Sequence, residues 1–164
     1  MKKFFILAIA AVAFAACGGN GGSSKVEPLK EGVKFEMDNF SIMLPTGMEE
    51  SYKSGDVLNA RCEDGAKFVI NHFTGGPTKS QLKVTGDGLK SMVHAWDQSA
   101  VSEDPVVDGN MVTLKSKIGD NVRMDFTYLK EDRVGVTGNF EYPADKAAQY
   151  EDKFLPILKS VVFK

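Results

Sequence analysis

The chain has 164 residues, 26% of them charged, with 20 Lys and Arg against 22 Asp and Glu and a formal net charge of −2. That length allows one ordinary domain with room for a hydrophobic core. No basic block or stripe interrupts the mixed charges, which disfavours nucleic-acid binding, and two cysteines are too few for a disulfide framework.

Residues 1–16 read as a signal peptide. Lys2 and Lys3 form a basic start, and Phe4 to Ala16 is an apolar run of 13 residues. A bilayer-spanning helix needs about 20 apolar residues, so this run fits an exported leader. Two processing patterns compete. Ala13-Phe14-Ala15 satisfies ordinary A-x-A cleavage. Phe14-Ala15-Ala16-Cys17 resembles a bacterial lipobox, although Phe14 stands where Leu, Val or Ile is usual. The Gly/Ser run from Gly18 to Ser24 favours the second, because a lipidated terminus needs a flexible spacer. Several acyl chains on Cys17 would anchor the protein, since a single chain binds only marginally. Position 18 is Gly rather than the Asp that retains some lipoproteins at the inner membrane, so the outer membrane, facing the periplasm, is expected. The organisation is then signal peptide 1–16, lipidated Cys17 and tether 17–32, and one domain over 33–164.

Two-residue alternation dominates that domain. Val33, Phe35 and Met37, then Phe40, Ile42 and Leu44, predict a hairpin turning at Asp38-Asn39. A second hairpin is predicted from Val57 to Phe73. A three-residue loop with Gly65 in the left-handed region sets Ala60 against Phe68 and Leu58 against Ile70, which brings apolar groups together. Gly86 and Gly88 argue against one long helix, so a helix is predicted from Asp87, as N-cap, to Gln98. Met111–Ile118, Val122–Tyr128 and Val134–Tyr142 predict an antiparallel meander. A C-terminal helix follows Pro143, with a kink or restart at Pro156 and a short strand at its end. The order β-β, β-β, α, β-β-β, α predicts an α+β fold, an antiparallel sheet of about six or seven strands flanked by helices.

Three phrases carry a family resemblance. They are Phe40-Ser41-Ile42-Met43-Leu44-Pro45, Asp125-Phe126-Thr127-Tyr128 and Ile157-Leu158-Lys159-Ser160-Val161-Val162-Phe163. Together with the element order they resemble the PsbP/Mog-like superfamily over residues 33 to 164. The resemblance implies an α/β/α sandwich around an antiparallel sheet. Members include a photosystem accessory subunit, a Ran-binding nuclear-import protein and bacterial envelope lipoproteins. It therefore implies a non-enzymatic accessory module and a protein partner in the envelope; no family residue carries a transferable role.

Chemistry-bearing residues are sparse. Cys62, His72 and His94 share no ligand spacing, so neither a metal nor a cofactor is expected. The register points Cys62 into the apolar face, where a thiol is inert. If Cys17 is acylated, Cys62 is the one remaining thiol. Asp56 falls opposite His72, an arrangement that could orient an imidazole but places no nucleophile beside it. Glu103, Asp104 and Asp108 lack calcium-loop spacing and read as a solvated loop. Two alternatives to the accessory reading are a small-molecule carrier with a pocket between sheet and helices, and an envelope hydrolase or thiol enzyme using Cys62 or His72.

Overall fold

The computed structural model describes residues 26–164; the leader, Cys17 and most of the tether lie outside the described residues. Eleven strands and three short-to-medium α-helices make up the domain. The opening hairpin, β1 (Val33–Glu36) and β2 (Phe40–Leu44), pairs Val33 with Leu44 and Phe35 with Ile42. The amide of Met37 donates to the Phe40 carbonyl at 2.8 Å and closes the Asp38-Asn39 turn. The closing strand β11 (Val162–Phe163) adds to the other side of β2, so these three form a small sheet of their own.

The main sheet has eight strands. β3 (Glu49–Ser54), β4 (Val57–Arg61) and β5 (Lys67–Thr74) are followed in space by β10 (Val134–Pro143), β9 (Asn121–Glu131) and β8 (Met111–Ile118). The short strands β6 (Val101–Ser102) and β7 (Val106–Asp108) both pair with β8 and form the far edge. Every pairing is antiparallel. The β4–β5 register sets Ala60 opposite Phe68 and Leu58 opposite Ile70, and Gly65 takes φ +96° in the loop, as the apolar matching requires.

Paired residues of neighbouring strands share a face of the sheet. One face carries Leu58, Phe68, Ile70, Phe126, Val136 and Phe140, all buried. Upon it lie the small sheet, through Phe35, Ile42 and Leu44, and the C-terminal helices α2 (Ala147–Tyr150) and α3 (Phe154–Lys159). Aromatic rings knit this core: Phe68 stacks on Phe126 at 5.9 Å, and Phe126 meets Phe154 edge-on at 6.0 Å. The opposite face carries Val112, Leu114 and Leu129 under helix α1 (Leu82–Trp96), whose Leu82 and Val93 are fully buried there. The result is three layers with the large sheet in the middle, an α+β sandwich.

Several expectations need correction. The strand count is eleven rather than six or seven because β3, β6, β7 and the closing β11 add to the seven strands of the hairpins and meander, and the opening hairpin builds a separate sheet with β11. β3 escaped notice because all six of its residues are exposed, so it has no apolar alternation. Helix α1 begins at Leu82, not at Asp87, after a turn of 3-10 helix over Lys79–Gln81. Thr78 and Gln81 close that start reciprocally as a capping box. Gly86 does not break the helix. It allows close packing, since a Cβ there would lie 2.6 Å from Pro105 and 2.8 Å from Val112. Pro156 does not interrupt the C-terminal helix either. The break comes earlier, in 3-10 geometry over Glu151–Lys153, and Pro156 sits in the first turn of α3, where its missing N–H costs nothing. The tether does not run free to Gly32: the Leu29 amide donates to the Pro156 carbonyl at 2.9 Å and its side chain packs on the core.

Candidate functional site

Asp56 and His72 come together as the register required. The His72 amide donates to the Asp56 carbonyl at 3.1 Å, and Nδ1 lies 3.5 Å from Asp56 Oδ2. Asp56 also accepts from the Asn39 amide at 2.8 Å and from the Asn39 side chain. Burial alone would raise its carboxyl pKa, but the Asn39 hydrogen bonds and the nearby imidazole hold it below the ordinary value. Asn39 is the turn of the small sheet and Asp56 the turn of β3–β4, so the cluster clamps one sheet to the other. Among the described residues no serine hydroxyl or cysteine thiol is hydrogen-bonded to either side chain.

Cys62 lies elsewhere. It is half-buried: its side chain packs against the main core on the apolar face, while β4 ends at Arg61 and the thiol reaches Gly47. Sγ donates to the Gly47 carbonyl at 3.1 Å, at the rim of a cleft shared with Glu49, Arg61 and Glu63. Nearby, the Tyr150 hydroxyl donates to Asp64 at 2.6 Å. That bond holds the Asp64 carboxyl below its usual range, while burial first and Asp64 second push the Tyr150 hydroxyl up. His94 is exposed on α1. Cys62, His72 and His94 are therefore not one constellation. Among the described residues no group of three or more His, Cys, Asp or Glu could hold a metal.

The carrier expectation meets open clefts. The one of about 610 Å³ lies between α1 and β6, lined by Asp87, Lys90, Ser91, His94 and Val101. It is a surface cleft at the sheet edge rather than an apolar cavity between layers.

A different feature stands out. Nine large apolar side chains are exposed among the described residues, and six of them fall between Val84 and Val107. Val101 is 71% exposed and Val106 61%, with Val107 beside them; these three belong to the edge strands β6 and β7. The opposite edge, β3, shows solvent Glu49, Glu50, Lys53 and a lone Tyr52. Charged side chains and short strands both blunt an edge; β3 uses charge, whereas the far edge is short but shows apolar side chains. The apolar edge is held firmly from behind. Ser102 and Ser116 hydroxyls meet at 2.8 Å, the Glu103 amide donates to the Lys115 carbonyl at 2.9 Å, and Lys115 bridges Glu103 and Glu151. Sequence reasoning passed over this surface because Pro105 and the acidic residues disguised Val101, Val106 and Val107 as a loop.

On the other flank of α1, Trp96 is 67% exposed and carries the Arg123 guanidinium over its ring at 5.2 Å. Arg123 in turn holds both oxygens of Asp125, from Nε at 3.0 Å to each and from a terminal nitrogen at 2.8 Å. Asp125 is only 2% exposed; burial leaves its carboxyl above the ordinary range despite the guanidinium.

No protein-family model matches the chain, and no curated protein matches it. Among solved structures, cyanobacterial PsbP (CyanoP) from Synechocystis sp. superposes with a TM-score of 0.56 at 13% identity, covering 89% of this chain and 98% of that one. A crystal structure from Bacteroides thetaiotaomicron overlaps at a TM-score of 0.44 and 14% identity, over 81% of this chain and 48% of that one, a likeness too slight to argue from. The layers, the antiparallel sheet and the first of these likenesses agree: the domain has a PsbP-like fold.

Proposed function

We propose that the protein is a lipid-anchored, non-catalytic accessory module that binds a protein partner in the bacterial cell envelope through its β6–β7 edge. The observation that carries this reading is the one-sided distribution of exposed valines on a short, open strand edge. Exposed apolar patches rimmed by polar groups mark interaction surfaces, and an open edge offers main-chain hydrogen bonds to an added strand. The leader and Cys17 supply the anchor, with the outer membrane, facing the periplasm, as its address. The similarity to cyanobacterial PsbP supports a domain of the same architecture and says nothing of the partner.

Two measurements test the two halves. Cys17→Ser should move the protein from the membrane fraction to the soluble one and remove acyl mass from its N-terminus; continued membrane association without that cysteine would refute the anchor. For the partner, wild-type protein and a Val101→Lys/Val106→Lys variant are used as bait in detergent-solubilised envelopes. One reproducible partner should be retained by wild type and by Tyr52→Lys, and lost by the valine variant. Equal capture by the valine variant would place the contact elsewhere.

A further inference from the structure

We propose that a cleft on the outer face of the small sheet, where the chain enters the domain from Cys17, docks the headgroup of an anionic phospholipid. The inference rests on the lipid-anchor reading given above. Lys34 pairs with Met43 and Ser41 with Val162, so these four share the face turned away from the core residues Phe35, Ile42 and Leu44. With Leu29 and Lys159 they line a cleft of about 280 Å³. That volume lies at the small end of ligand pockets, so it suits a headgroup rather than a larger ligand.

The cleft contains an unspent hydroxyl. Ser41 is only 5% exposed, yet its side chain makes no hydrogen bond among the described residues. Ser160, on the same cleft, gives the contrast. Its Oγ accepts from the Met43 amide at 3.0 Å and donates to the Ile157 carbonyl at 2.6 Å, so it is committed to the fold. A buried polar group without a partner is costly. The Ser41 hydroxyl has a proton to donate to a ligand oxygen.

The charge around it is positive. The lining holds Lys34 and Lys159 and no carboxylate. Lys159 makes no ion pair among the described residues. Lys34 pairs with Glu36, whose other oxygen lies 3.4 Å from Lys164, so one carboxylate answers two lysines. At the entry of the chain Glu27 pairs with Lys30, and Glu31 is exposed. Four lysines thus meet three glutamates here, on a chain whose net charge is −2. Lysines near an anionic membrane surface are attracted to it. Val162, 61% exposed beside Ser41, adds an apolar contact of the kind interfacial binding uses.

The position of the cleft selects a lipid as the source of the anion. Eleven residue steps separate Cys17 from Pro28 at the cleft, and they span at most about 40 Å. An acylated Cys17 keeps the cleft within that reach of headgroups, at an effective concentration on the order of millimolar. A site of few contacts then suffices, whereas a soluble phosphate would have to bind unaided. The small sheet and α1 are the two outer layers, so docking here turns α1 away from the bilayer.

The Cys17→Ser chain and the wild-type lipoprotein are each sedimented with vesicles of phosphatidylcholine, and of phosphatidylcholine mixed with phosphatidylglycerol. The Cys17→Ser chain should sediment with the phosphatidylglycerol vesicles alone. Within that chain, Lys159→Gln should weaken binding by about fivefold and Ser41→Ala by about tenfold. Ser41→Ala should leave Tm unchanged, since the hydroxyl holds nothing in the fold, and Lys83→Gln on α1 should leave binding unchanged. No sedimentation of the Cys17→Ser chain, or equal sedimentation with both vesicles, would overturn the proposal. So would binding that survives both Lys159→Gln and Ser41→Ala, or that falls as much in Lys83→Gln. Calorimetric binding of inorganic phosphate without sedimentation would also overturn it. Wild-type protein tests the anchor separately: its absence from phosphatidylcholine vesicles would refute acylation of Cys17 and not the cleft.

Discussion

The two edges of the main sheet solve the same problem in opposite ways. β3 is six residues long and wholly exposed, and it carries Glu49, Glu50 and Lys53 along an open backbone. β6 and β7 together offer five residues, interrupted by Pro105, and show valines to solvent. Charge keeps an edge from pairing with other chains, and shortness limits how much of an edge can pair. The proposed partner contact would use the valines of the shorter edge. The contrast teaches that one end of the sheet is protected and the other presented.

The supports behind the edges differ as well. β3 depends on the Asp56 clamp, in which a single carboxylate ties its turn to the small sheet. The β6–β7 edge rests on helix α1, on the Ser102–Ser116 pair and on the close approach of Gly86 to Pro105 and Val112. The first support is ionic and the second is mostly packing.

Breaking the packed support should have the largest effect. Gly86→Val forces a branched side chain into Pro105 and Val112 and should cost about 2–3 kcal/mol in urea unfolding. A cost near zero would mean that α1 is not seated as closely as the Gly86 geometry shows. Next comes the presented surface itself. Val106→Lys should weaken partner capture by about tenfold or more, equivalent to about 1.4 kcal/mol, with folding stability changed by no more than about 0.5 kcal/mol.

Acid should separate the two ends. The folded state holds Asp56 below its ordinary value, so between that lowered value and about pH 4 the folded protein binds fewer protons than the unfolded chain. The stability this supplies is present at neutral pH and is lost as pH falls through the lowered folded value. Asp64 acts in the same direction through its bond from Tyr150. Hydrogen exchange below about pH 4 should loosen β3 and β4 before β6–β8. Asp56→Asn should flatten the acid limb of a Tm-against-pH curve, and an unchanged limb would remove the clamp from the account. The smallest effect is expected at β3, where Tyr52→Lys should change stability by no more than about 0.5 kcal/mol and leave capture intact.

How far these features could be read in the sequence follows from burial. The β1–β2 and β4–β5 hairpins were legible to the residue because one face is buried and the other wet, and only one register keeps Phe35 with Ile42 or Ala60 with Phe68 on the same side. The Asp56–His72 pairing came with that register. β3 was invisible because no side chain of it is buried. The start of α1 was misplaced because Gly86 looks like a breaker until Pro105, nineteen residues on, is known to lie against it. Cys62 keeps the core-side face that alternation gives it but lies only half-buried, because β4 ends one residue earlier, at Arg61.

The most direct test of the presented edge is site-specific photo-crosslinking in intact cells. A photoreactive residue is placed at Val101, Val106 or Tyr52 of the full-length chain, and adducts are resolved on a denaturing gel. A discrete adduct from Val101 and Val106, and none from Tyr52, is the result predicted. An adduct from Tyr52 alone, or no adduct from either valine, would contradict it.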